Sequence, residues 1–254
     1  MSIIYQPKGK AMEYSPWAAN FYNGCSNKCE YCYNRHSQAK ALLGKDEPTL
    51  KKSLIGKNDA VQKFKKECDK NIESLRKDGL FFSFVSDPCL SETLWVNWYA
   101  IAYCLDNRVP VTVLTKCTDW INEHPAYGIL EAIRMNHDNI KIGFTLTGRD
   151  DLEQGASTNQ ERIYAMKRLK EEFDIYTWAS IEPVIDISLS STMIHDSIRY
   201  CDEYRIGLLS GKKSYTPQEV ERWMAATEDF VCHYKQKKLI WKESVIQYTL
   251  KGGE

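Results

Sequence analysis

Six short stretches of the chain are almost continuously apolar: WAANFY (17–22), LFFSFVS (80–86), PVTVLT (110–115), IKIGFTL (140–146), IYTWASI (175–181) and YRIGLLS (204–210). Each is followed by a polar, Gly- or Pro-bearing turn. A strand with one wet face alternates apolar with polar residues, whereas a strand covered on both faces does not, so these runs predict parallel strands sandwiched by helices. Helical patterns lie between them: AVQKFKKECDKNIESLRKD (60–78), ETLWVNWYAIAYCLDN (92–107), PAYGILEAIRMN (125–136) and NQERIYAMKRLKEEF (159–173). From the second strand onward the repeat is about 30 residues, the length of one βαβ unit with a right-handed crossover. Six strand-helix units are expected, in one domain of the α/β class.

The first interval breaks the rhythm, because nearly 60 residues separate the first strand from the second. It holds a dense cysteine cluster and a stretch punctuated by Gly and Pro, LLGKDEPTLKKSLIGKN (42–58), which predicts an enlarged first loop. After Pro217 the chain reads as one more helix, QEVERWMAATEDFVCHYKQKK, then a strand, LIWKESVIQYT, giving a core of about 15–212 and a C-terminal extension of about 213–254. No linker marks a second domain.

Composition narrows the partners only a little. The chain has 254 residues, 43% of them hydrophobic, with 34 Lys plus Arg against 34 Asp plus Glu, so no overall basic field advertises a polyanion. No stretch approaches the ~18 apolar residues of a membrane span, and the N-terminus lacks the apolar core of a secretory signal, so a cytoplasmic protein is expected. Nine cysteines is an odd number, and six of them lie far apart, which fits free or metal-bound thiols in a reducing compartment better than a disulfide framework.

The cluster itself is NGCSNKCEYCYNR, in which Cys25, Cys29 and Cys32 are spaced C-x3-C-x2-C with no fourth cysteine nearby. Structural zinc and ordinary iron-sulfur sites use four ligands. Three thiolates on a four-iron cubane leave one iron open to a small molecule, like the open position of a catalytic metal.

The triplet, with Tyr31 directly before Cys32, resembles the signature of the radical S-adenosylmethionine superfamily. The flanking text NFYNGCSNKCEYCYNR, with Ser86-Asp87-Pro88 closing the second strand and Thr115-Lys116 closing the third, is most similar to its spore photoproduct lyase-like branch over roughly residues 15–185. The resemblance implies a partial (β/α)6 barrel, matching the rhythm above, and a [4Fe-4S] cluster whose fourth iron is chelated by S-adenosylmethionine. It also implies a one-electron donor such as flavodoxin or ferredoxin, and cleavage to a 5′-deoxyadenosyl radical that takes hydrogen from a substrate at the strands' C-terminal ends. A monomer or small homo-oligomer is expected, with no membrane contact.

Candidate cofactor contacts follow from the strand ends. Tyr31 and Tyr33 flank the last ligand and are placed to pack on cluster or adenine, or simply on their own loop. Lys116 resembles a lysine that pairs with the methionyl carboxylate in the related branch. Ser86 and Asp87 are candidates for the amine or ribose, and an ordinary turn uses the same residues. Thr145 and Thr147 end the fourth strand, Arg162 opens the following helix where a guanidinium meets carboxylates, and Glu182 follows the fifth strand. Cys89 and Cys117, just beyond strand ends, are candidate hydrogen-atom donors, while Cys68, Cys104, Cys201 and Cys232 read as small core hydrophobes. Of the five histidines only His36, close behind the cluster, is of interest. Gly252-Gly253-Glu254 matches a superfamily element that holds the cofactor's amine, but it lies at the chain terminus and is set aside.

Three functions remain open. The first is a radical enzyme acting on a nucleobase, nucleotide or nucleic acid, with Lys63, Lys65, Lys66, Lys235, Lys237 and Lys238 as phosphate contacts. Only 24 residues precede Cys25, which weighs against DNA-lesion repair in particular. The second is a peptide- or protein-modifying radical enzyme, including an activase of a glycyl-radical partner. The third is a non-catalytic metal-binding protein with a remote fourth ligand.

Overall fold

A computed structural model of the chain describes residues 2–122 and 127–250; His124, the first residues of the 125–136 helix and Gly252-Gly253-Glu254 fall outside the described residues. The strands in chain order are β1 (Ile4–Tyr5), β2 (Ala18–Ala19), β3 (Tyr22–Asn23), β4 (Thr49–Leu50), β5 (Leu80–Phe82), β6 (Val111–Thr115), β7 (Ile140–Thr145), β8 (Tyr176–Val184), β9 (Glu203–Leu208) and β10 (Lys238–Trp241). The helices are α1 (Tyr33–His36), α2 (Lys40–Leu43), α3 (Lys57–Lys70), α4 (Ile72–Asp78), α5 (Ser91–Asp106), α6 (Asp119–Asn122), α7 (Tyr127–Met135), α8 (Asn159–Phe173), α9 (Ile187–Ser197), α10 (Pro217–Cys232) and α11 (Glu243–Leu250).

Eight strands form one sheet in the order β1-β2-β5-β6-β7-β8-β9-β10. The six expected strands lie side by side in sequence order, with helices in the connections, as in the partial (β/α)6 barrel class. The β2-β5, β5-β6, β8-β9 and β9-β10 ladders are parallel, and β1 is antiparallel to β2. The short strand β1 at one edge was not expected, whereas β10 at the other falls where the C-terminal strand was expected.

By their contacts the residues divide into two compact units: Met1–Ile142 with Asp151–Ser157, and Gly143–Asp150 with Thr158–Glu254. In the first, the Phe64 ring of α3 lies 5.5 Å from Phe21 and 6.1 Å from Phe82, all three buried. Glu67 on the same helix accepts from the Ile3 and Ile4 amides at 2.9 and 2.8 Å, fixing the edge strand β1. In the second, Asp202 accepts from the Thr177 amide at 3.0 Å and from the Lys170 Nζ at 2.9 Å, and Tyr204 meets Ser197 at 2.9 Å beneath α9.

Several boundaries differ from expectation for local reasons. The first strand splits, because after β2 the chain leaves the large sheet and β3 pairs antiparallel with β4. The 60–78 helix starts earlier and breaks at Asn71, whose side chain donates to the Glu67 carbonyl at 2.7 Å and competes with the helical pattern. The second strand stops at Phe82, so Ser86 and Asp87 sit in the loop beyond it; Ser83 donates to the Ser86 carbonyl and closes that turn. Glu182 lies within β8 rather than after it. The expected last strand ends at Trp241, and the rest is α11, packed through the fully buried Val245. Among the described residues no helix is long and apolar enough to cross a membrane.

Helices α8 and α10 both begin with reciprocal capping boxes, Thr158 with Glu161 and Thr216 with Glu219. Hydrogen bonds from the threonine amide and hydroxyl hold both glutamates below the usual carboxylate range. A lowered folded-state pKa gives stability that is present above the ordinary glutamate value of about 4.3 and fades as pH falls through the folded value. Thr158→Ala is expected to lower stability by about 1 kcal/mol at pH 7. The difference from wild type in thermal melts should shrink when the comparison is repeated near pH 3.

Candidate functional site

The cysteine loop begins where β3 and β4 zip together, Tyr22 opposite Leu50 and Asn23 opposite Thr49, so the intervening chain is closed off as a separate loop. Gly24 turns into it at φ +86°, a conformation L side chains resist, and a Cβ there would meet the Glu47 carbonyl at 2.3 Å. The Cys25 amide then donates to the Lys45 carbonyl at 3.0 Å, and the Cys32 amide to the Cys29 carbonyl at 3.2 Å. Cys29 is buried and Cys25 and Cys32 are half-buried; all three thiols are free of disulfides.

What anchors this loop to the sheet is Asp87. Its Oδ1 accepts from the Cys89 amide at 2.9 Å and the Thr115 hydroxyl at 2.6 Å; its Oδ2 accepts from the Lys116 amide at 2.7 Å and from Asn27 Nδ2 at 2.8 Å. One buried carboxylate thus ties the loop after β5, the end of β6 and the middle of the C-x3-C segment. Asn27 also accepts from the Cys117 thiol at 3.4 Å. Burial, then the Asp87 charge, push the Cys25 thiol up to about 12 and keep Cys89 and Cys117 well above the thiol range. Cys89 and Cys117 are therefore neutral thiols packed around the hub. Ser86, one residue before it, has a buried hydroxyl with no partner among the described residues.

A second tie comes from far along the chain. The segment Asp151–Ser157 lies over the cysteine loop: the Glu30 amide donates to the Leu152 carbonyl at 2.9 Å, the Gly155 amide to Asn27 at 3.1 Å, and the Ser157 amide to Lys116 at 3.1 Å. Glu153, 2% exposed, accepts from the Tyr31 hydroxyl, and the Lys116 ammonium stands 3.7 Å from it and 5.2 Å from the centre of the Tyr31 ring. Burial lifts the Tyr31 hydroxyl well above its ordinary range, with Lys116 opposing and Glu153 reinforcing. The candidates Tyr31 and Lys116 are thus brought together, around a carboxylate with no sequence signal. Tyr33 instead points outward and donates to the Phe84 carbonyl. His36 is exposed, its ring 2.8 Å from the Glu30 carbonyl.

Gly155 permits the close approach, since a Cβ on it would lie 1.9 Å from the Ser26 carbonyl oxygen. Gly155→Ala must therefore push this segment off the cysteine loop. A loss of about 2–3 kcal/mol is expected, the upper part of the range for overpacking because the obstacle is backbone. Thermal unfolding together with iron retained after loading would check it, both falling.

The remaining cofactor candidates Thr145, Thr147, Arg162 and Glu182 lie in the second unit. Arg162, fully buried, donates through Nη1 to the Thr145 carbonyl at 2.9 Å and so braces the end of β7. Thr147 is buried, with its amide bonded to Asn159 Oδ1 at 2.9 Å. Glu182 forms a 2.7 Å ion pair with Lys242, whose side chain is 3% exposed. Cys68, Cys104 and Cys201 are buried as expected, but Cys232 is exposed on the last turn of α10. Of the lysines considered for phosphate, Lys63 pairs with Asp59 at 2.9 Å, Lys237 with Asp202 at 3.8 Å and Lys238 with Glu203 at 3.6 Å, so internal partners already hold half of them.

The donor set fits a cluster better than a single ion. A tetrahedral zinc with sulfur bonds of ~2.3 Å needs its sulfurs about 3.8 Å apart. Among the described residues the single group of three metal-capable side chains with all ligand atoms within 4.8 Å is Asp229, Cys232 and His233, so the Cys25, Cys29 and Cys32 sulfurs are spread more widely. Thiolates that each serve a different iron of a cubane require that wider spread.

No family model matches the chain, and no curated protein does. Its fold is similar to that of Streptococcus suis SuiB. The structure bound to S-adenosylmethionine gives a TM-score of 0.58 at 11% identity, covering 87% of this chain and 48% of that one. The structure bound to precursor peptide SuiA gives 0.57 at 11% identity, with 84% and 45% covered, and a third gives 0.51 at 12%, with 70% and 42% covered. The likeness is one of fold, and this chain spans less than half the length of the structures it matches.

Proposed function

We propose that this chain is a radical S-adenosylmethionine enzyme whose substrate is a peptide. The observation that carries the reading is the cysteine loop itself: three thiols, too widely spread for one ion, bound through Asp87 to the ends of adjacent parallel strands in a fold like that of an S-adenosylmethionine-bound protein. Cys25, Cys29 and Cys32 would hold the cluster, which when bound supplies the electron that breaks the sulfonium carbon–sulfur bond. Asn27 and Asp87 fix the loop against the strands. Lys116 offers a cation, held by Glu153 over the Tyr31 ring, for a carboxylate-bearing ligand. Ser86, one residue before Asp87, offers an unused buried hydroxyl. Neutral Cys89 and Cys117 present S–H groups able to give a hydrogen atom, which a thiolate does not.

The peptide-bound neighbour supports a peptide over the nucleobase reading, which rests only on the loop's resemblance to the spore photoproduct lyase-like branch. Oxygen-free reconstitution should yield about four irons and four sulfides per chain. Dithionite with S-adenosylmethionine should then give 5′-deoxyadenosine, and its absence overturns the class. Deuterium carried into 5′-deoxyadenosine from labelled peptides, and not from labelled nucleosides, separates the substrate classes.

A further inference from the structure

Apart from the cysteine loop, one turn of the described residues gathers a carboxylate, a thiol and an imidazole: Asp229, Cys232 and His233, all exposed, at the end of α10. The spacing i, i+3, i+4 puts them on one face. Cys232 Sγ lies 2.9 Å from the Asp229 carbonyl oxygen, His233 Nδ1 lies 2.6 Å from that same oxygen, and sulfur and nitrogen are 3.8 Å apart. A tetrahedral ion with bonds of ~2.3 Å to sulfur and ~2.0 Å to nitrogen sets those two atoms about 3.6 Å apart, close to the spacing already present. The Asp229 carboxylate is within 4.8 Å of both. A helix C-terminus also carries partial negative charge and carbonyls without partners.

We propose that this turn binds one divalent cation of the zinc class and that the ion caps the C-terminal end of α10. Cys232, His233 and the Asp229 carboxylate are the ligands, with water in the remaining position. On binding, the Cys232 thiol gives its proton to solvent, and the His233 ring proton, which Nδ1 directs at the Asp229 carbonyl in the metal-free turn, moves through solvent to Nε2 so that the Nδ1 lone pair faces the ion. No electron is transferred. The site is independent of the proposed enzymatic activity.

The test is a Co2+ titration, without oxygen, of the full chain carrying Cys25→Ala, Cys29→Ala and Cys32→Ala, which leaves Cys232 the exposed thiol among the described residues. A sulfur-to-cobalt absorption band saturating at one ion per chain is expected. Adding Cys232→Ser should remove it, and His233→Ala should weaken binding at least ~10-fold. Zn2+ should displace Co2+ and, at a hundredfold excess over its dissociation constant, raise the melting temperature by about 5 °C. Absence of the band, or its survival in Cys232→Ser, overturns the site. A band without a rise in melting temperature overturns the capping role.

Discussion

Replacing any one of Cys25, Cys29 and Cys32 with alanine is expected to lower retained iron from about four per chain to near zero and 5′-deoxyadenosine formation by more than ~100-fold. On the proposed reading the size follows from the ligand count: three thiolates on a four-iron cluster would leave one iron for a small ligand, and two would leave a second iron without protein support. Cys89 and Cys117 are not expected to substitute. Cys89 and Cys117 are buried thiols held protonated by burial and by the Asp87 charge, and their backbone amides are committed, to Asp87 and to the Thr115 hydroxyl. Cys89→Ala and Cys117→Ala should therefore keep their iron. Iron, sulfide and product assays on the five single variants would check this; loss of iron in Cys117→Ala would mean that the ligand set has been read wrongly.

Asp87→Asn is expected to destabilise the chain by about 3 kcal/mol and Asp87→Ala by about 5 kcal/mol, with the melting temperature of the asparagine variant falling by about 10 °C. The carboxylate accepts four hydrogen bonds, two on each oxygen. An amide keeps one oxygen, and whichever way it turns, its NH2 group faces a backbone N–H: that of Cys89 on one side, that of Lys116 on the other. Only the Thr115 hydroxyl can reverse and accept. At least one buried donor is then stranded, and the charge assistance to the other bonds is gone. Thermal unfolding by circular dichroism is the measurement, and an asparagine variant melting within ~2 °C of wild type would show that Asp87 does not bear the loop.

The strands were legible because a buried parallel strand writes itself as an unbroken apolar run, and all six appear where those runs lie. The cysteine triplet stands out in the sequence because its spacing is local. Asp87 and Lys116 were found as strand-end residues, yet the reason they matter, a carboxylate shared by three segments, depends on Asn27, which sits inconspicuously between two cysteines. Glu153 left no trace: it meets Tyr31 across 122 positions, and the DLEQGAS run around it has neither helical nor strand period. Cys232 misled because its helix carries apolar residues on one face and the cysteine falls on the other. The two-residue edge strand β1 is too short to show a pattern and depends on Glu67 for its amide partners.

The seven residues Asp151–Ser157 belong with the first 142, although the chain has by then entered the second unit. On the ribosome, all three cysteines and Asp87 emerge well before the carboxylate that receives Tyr31 and the glycine that lets the covering segment settle. The contacts that cover the cysteine loop therefore form only after residues 151–157 are made. A gene fragment cut after Ile142 would encode every proposed cluster ligand yet lack the segment that covers their loop.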